Sequence, residues 1–139
     1  MSKPIKGFLA GAFDVIHPGY IYLFEDAKKH CDHLTIALHL DPSLERPEKS
    51  KPIFMPQTRF KILESIRYID RIVTYTTEEK LLDTIKLLRP DILIIGSDHK
   101  DSYTGQELGI PVHIHDRSEH DWSATKYKDM ICETHCGKP

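Results

Sequence analysis

The chain has 139 residues, of which 40% are hydrophobic and 29% charged, with a formal net charge of -2. That length holds one ordinary domain with a full core, and not two. The balanced charge argues against a nucleic-acid binder, no apolar run reaches the roughly 18 residues of a membrane span, and MSKPIKG lacks the core of a signal peptide, so a cytoplasmic protein is expected.

In chain order, IKGFLA (Ile5–Ala10) is a short apolar run closed by Gly11, a strand. YIYLFEDAKKHC (Tyr20–Cys31) sets Ile21, Leu23, Phe24 and Ala27 mainly on one face with charges opposite, a helix. HLTIALHL (His33–Leu40) is the second strand. DPSLERPEKSKPIFMP holds four prolines among mixed charges, which breaks any regular element and marks a long surface loop. QTRFKILESIRYI (Gln57–Ile69) resumes helical spacing, RIVTY (Arg71–Tyr75) is a strand, and EEKLLDTIKLLR (Glu78–Arg89) is a helix stopped by Pro90. DILIIG (Asp91–Gly96) is apolar throughout, as a strand covered by helices on both faces must be. PVHIH (Pro111–His115) is a last short strand, and SATKYKDMICE (Ser123–Glu133) a closing helix that Ser123 can cap; from about residue 129 to 139 it is expected to grade into a flexible tail.

This alternation predicts an α/β fold, a doubly wound, parallel five-stranded sheet of Rossmann-like type in a single domain spanning 1–139. Ligands of such sheets bind beyond the carboxyl ends of the strands. GAFDVIHPGY, the long proline-rich loop and GSDHKD all fall on that edge. Gly11 lets the chain turn, and Gly19 lets backbone approach a ligand where the first helix starts. That helix start offers N–H groups and partial positive charge to phosphates. Neither G-x-G-x-x-G nor GxxxxGK[ST] is present, which sets aside a dinucleotide-binding dehydrogenase and an ordinary ATPase loop. Cys31, Cys132 and Cys136 are too few for a disulfide framework. Cys132, His135 and Cys136 match no zinc spacing, and His113 and His115 share a face only if the last strand is regular, with His120 nearby. No residue is therefore assigned to a resident metal.

GAFDVIHPGY resembles the G-x-F-D-x-x-H-x-G-H signature of the cytidylyltransferase-like nucleotidyltransferases, and WSATKYK resembles their second motif, I-S-[ST]-T-x-[IL]-[KR]. RFKILESIRYIDRI is similar to the helix between those motifs in the small bacterial glycerol-3-phosphate cytidylyltransferases, and GSDHK stands at the fourth strand end. The resemblance spans Ile5 to about Lys128. It implies an HxGH-type enzyme in which a substrate phosphate attacks the α-phosphorus of a nucleoside triphosphate and pyrophosphate leaves. CTP and a small phosphorylated polyol or sugar are the expected substrates, giving a CDP-activated product. The alternatives are an ATP-using relative, and a nucleotide-binding protein with impaired catalysis.

Carried onto this chain, the resemblance implies that His17, with Tyr20 beside it, meets the α-phosphate. Lys49 or Lys51 reaches the reacting phosphates, and Arg59 and Arg117 hold phosphate oxygens. Gly11, Ala12, Phe13, Asp14 and Gly19 shape the nucleotide loop, Asp98 lies near the nucleotide, and Ser123, Ala124 and Thr125 start a helix that receives the β- and γ-phosphates. Magnesium on the triphosphate and a homodimer are also implied; nucleic acid and membrane are not expected partners. Two departures stand out: Ala12 replaces a Thr or Cys, and Tyr20 replaces the second signature histidine. A phenol donates a hydrogen bond but carries no positive charge near neutral pH. His30, His39, His99 or a lysine are the candidates to compensate.

Overall fold

The computed structural model describes residues 3–116 and 123–135. Its centre is a five-stranded sheet of β1 (Lys6–Gly11), β2 (His33–His39), β3 (Arg71–Tyr75), β4 (Ile92–Gly96) and β5 (Val112–His115). Strand order is β3-β2-β1-β4-β5, and every pairing is parallel. The chain winds outward from β1 to β3, then returns and places β4 on the other side of β1. The winding therefore reverses between β1 and β4, where ligands bind in such sheets.

Side chains alternate across the sheet with the strand period of two. Leu9, Leu34, Ile36, Leu38 and Ile94 face one way and meet Phe24 and Ala27 of α1 (Pro18–Lys29) and Leu63 of α3 (Pro56–Glu64). Phe8, Ala37 and Leu93 face the other way and meet Leu81 and Ile85 of α4 (Glu78–Leu88). Each fully buried Leu, Ile or Phe contributes roughly 1.5–3 kcal/mol, against about 1 kcal/mol for a helix cap. Packing, more than capping, therefore holds the layers together, while the caps fix where each helix begins.

The structure shifts several predicted boundaries. α1 begins at Pro18, because His17 caps it. A single helical turn, α2 (Pro42–Glu45), forms within the proline-rich loop under an Asp41 cap. α3 ends at Glu64 and not at Ile69: Ser65, Ile66 and Ile69 continue in tight turns, each amide bonding three residues back. Ile66, Tyr68 and Ile69 nevertheless pack on the core, which explains the helix-like apolar spacing. The closing helix, α5, runs Ala124–His135, so much of the expected tail is helical. No described helix is long and apolar enough to cross a membrane.

Candidate active site

The loop leaving β1 is built around two buried side chains. Phe13 adopts the left-handed conformation, φ 47°, rare for a bulky residue. Its ring packs against Phe24 and Tyr20, with centroids 5.6 and 5.7 Å away. Gly11 permits this close approach, since a Cβ there would stand 3.0 Å from the Phe13 ring. Asp14 is 5% exposed. Its Oδ2 accepts from Ile53 N at 2.7 Å and its Oδ1 from Phe54 N at 2.8 Å. Lys128 of α5 donates to the same Oδ2 at 2.7 Å. Burial pushes the Asp14 carboxyl up, but the Lys128 hydrogen bond and the two amides outweigh it and hold its pKa below the ordinary value. Asp14 thus ties three parts of the chain together.

Arg59 corrects the sequence expectation. It is 1% exposed, and its guanidinium faces backbone. Nε donates to Phe54 O at 3.0 Å, Nη1 to Ala12 O at 2.9 Å and to His39 O at 2.7 Å, and Nη2 to Leu40 O. Four of its five N–H groups are therefore committed to carbonyls of β2 and of the two loops. Burial lowers its pKa, while the nearby Asp14 and Asp41 carboxylates counteract that effect. Arg59 is a cross-brace and not an arm reaching for phosphate.

The start of α1 carries a second correction. Pro18 has no N–H, Gly19 N donates to His17 Nδ1 at 3.1 Å, and Tyr20 N donates to His17 O at 3.0 Å. The first-turn amides expected to face phosphate are thus engaged within the turn. The His17 imidazole stands over that turn. Because Nδ1 accepts, the hydrogen of the neutral ring sits on Nε2, which makes that atom a donor. His17 is 7% exposed and lies beside the Tyr20 ring, with centroids 4.5 Å apart. Both side chains line a cleft bounded by Gly11, Ala12 and Phe13 on one side and by Gly96, His99 and His115 on the other. That cleft lies between β1 and β4, where the winding reverses.

The profile of the family described as cytidylyltransferase-like matches residues 8–131. The chain belongs to the cytidylyltransferase-like family. It is 36% identical over 104 residues to the bifunctional protein HldE of Hyphomonas neptunium, a match covering 73% of this chain and 21% of that protein. The chain thus spans about a fifth of the length of the curated relatives it matches. The lipopolysaccharide core biosynthesis protein from Thermoplasma volcanium superposes with a TM-score of 0.66 at 28% identity, covering 81% of this chain and 94% of that one. Pantoate-beta-alanine ligase from Francisella tularensis, at 14% identity and a TM-score of 0.56 over 96% of this chain and 72% of its own, shares the fold.

The two cytidylyltransferase-like motifs meet through the Lys128–Asp14 pair, which joins WSATKYK to GAFDVIHPGY across 114 residues. Lys128 is not among the residues expected from the motifs; its place at the basic end of the second motif was the available signal. Ser123 caps α5 as expected, its Oγ accepting from Lys126 N at 3.0 Å. Thr125 and Asp98 are exposed, and Ala124 opens the helix. Lys49 and Lys51 are exposed in the loop before α3. Asp41 has its pKa lowered first by the Ser43 hydroxyl, with a smaller contribution from the Lys51 charge. Arg117, His120 and Trp122 lie outside the described residues. Of the histidines weighed as compensation for Tyr20, His99 lines the cleft. His39 is buried against Tyr75 with Nε2 3.2 Å from Thr76 O, and His30 lies with Asp26 and His113.

Proposed function

We propose that this chain transfers the adenylyl group of ATP to a phosphorylated sugar, forming an ADP-sugar and pyrophosphate. The carrying observation is the match to the bifunctional protein HldE, a heptose kinase/ADP-heptose synthase with a cytidylyltransferase-like domain. That match favours the ATP-using alternative over the CTP and glycerol-phosphate expectation. The solved relative named for lipopolysaccharide core biosynthesis points the same way.

In this reading an oxygen of the sugar phosphate attacks the α-phosphorus, and the bond to the β-phosphate oxygen breaks. His17 Nε2–H would donate to an oxygen on that phosphorus as negative charge builds there, the kind of contact that strengthens in the transition state. Tyr20 would add a neutral donor from the same wall. Lys49 and Lys51 would approach from the exposed loop. Magnesium would travel on the triphosphate with most of its water, since the oxygens of the loop carboxylate, Asp14, are occupied by two amides and Lys128.

The deciding experiment follows pyrophosphate release with ATP or CTP against heptose phosphates, other sugar phosphates and glycerol 3-phosphate. Release with ATP and a sugar phosphate is expected. Faster release with CTP and glycerol 3-phosphate would overturn the assignment, as would silence across the panel from folded protein.

A further inference from the structure

Behind the wall of the cleft, α1 and the edge strand β5 bring three imidazoles to one carboxylate. Asp26 lies toward the end of α1 and His30 caps its C-terminus four residues on, while His113 and His115 are two apart on β5 and share one face of that strand. Asp26 Oδ2 lies 2.8 Å from His113 Nε2 and 2.8 Å from His115 Nδ1, and Oδ1 lies 3.6 Å from His30 Nε2. The His30 and His113 rings stack with centroids 3.7 Å apart. One donor atom from each of Asp26, His30 and His113 falls within 4.8 Å of the other two.

We infer that Asp26, His30 and His113 form a binding site for a zinc-type divalent cation, with His115 orienting the carboxylate. Hydrogen bonding alone does not account for the cluster. His113 and His115 already satisfy Oδ2, yet His30 directs a further ring nitrogen at the same carboxylate from beyond hydrogen-bond distance. Ligands about 2.0–2.2 Å from a zinc ion stand roughly 3–3.6 Å apart, so donors now within 4.8 Å of one another would draw in, and the stacked His30 and His113 rings would turn out of their stack, to enclose one. Two imidazoles and a carboxylate suit Zn²⁺, Co²⁺ or Ni²⁺, and not Mg²⁺, which prefers oxygen. The His30 side chain is 40% exposed, leaving an entry path and room for a water ligand, whereas His115 is 5% exposed on the inner side. Ligating carboxylates are themselves held by hydrogen bonds, and His115 supplies one to Asp26 Oδ2. The ion would clamp α1 to β5, the strand whose last residue, His115, lines the cleft.

The test uses the 139-residue chain, stripped with a chelator and titrated with Zn²⁺ against a chromophoric competitor, then with Co²⁺ for its visible spectrum. One Zn²⁺ per chain and tetrahedral Co²⁺ bands are expected. His30→Ala alters an exposed residue and should leave the circular dichroism unchanged while weakening Zn²⁺ affinity about tenfold or more. His113→Gln should do the same, and Cys132→Ser should change nothing. Absence of stoichiometric Zn²⁺ would overturn the assignment. So would affinity that survives His30→Ala, or that disappears with Cys132→Ser.

Discussion

The loop after β1 and the loop after β2 both carry charged residues, and they use them in opposite ways. After β1, Asp14 is enclosed by two amides and Lys128, and Arg59 reaches in from α3 to bond the Ala12 carbonyl. After β2, the chain is fixed at intervals: Asp41 caps Ser43 N at 3.0 Å, Glu45 accepts from Glu78 N, and Ile53 and Phe54 hang from Asp14. Between those anchors Lys49 and Lys51 stand exposed. A charge surrounded by backbone partners builds the frame. A charge exposed between two anchors stays open to solvent.

That contrast can be broken most sharply at Arg59. Arg59→Lys keeps the charge but loses the planar fork, and urea denaturation should show a loss of about 3–5 kcal/mol. Unchanged stability with a raised KM would move Arg59 into the class of the lysines. At His17, Asn can still cap α1 but cannot present the same donor. His17→Asn should therefore lower kcat about 100- to 1000-fold, with stability changed by no more than about 0.5 kcal/mol.

Asp14→Asn should cost about 2 kcal/mol through the lost charge-assisted bonds. The wild-type advantage depends on pH. Because the folded pKa of Asp14 is lowered, its contribution is complete above the unfolded carboxyl value of about 3.9 and fades as pH falls through the folded value. Denaturation curves of the two proteins should thus converge in strong acid and separate above about pH 4. The smallest effect belongs to Lys51→Ala. Stability should stay within about 0.5 kcal/mol, while KM for the triphosphate rises several-fold.

Most of the architecture was legible because a parallel sheet writes itself as apolar runs separated by helical spacing. The errors lie where local pattern and tertiary role diverge. Ile66 and Ile69 keep helical spacing while sitting in turns, since the core asks only that they point inward. Arg59 reads as a phosphate ligand because nothing local reveals that four carbonyls will surround it. His17 and Tyr20 were found through their motif, and the cleft contains both. The convergence on Asp26 needs α1 and β5 packed together, so neither His113–His115 nor Asp26–His30 announces it alone.

The Lys128–Asp14 bridge also sets an order of events during synthesis. Asp14 leaves the ribosome 114 residues before its cation does, an interval of roughly 5–25 s at ordinary elongation rates. The Ile53 and Phe54 amides emerge about a third of the way through that time, so for the rest of it the Asp14 carboxylate has its backbone donors but no cation. The nucleotide loop reaches its final wiring only when α5 docks, so nucleotide binding by a nascent chain would report that the C-terminal helix has arrived.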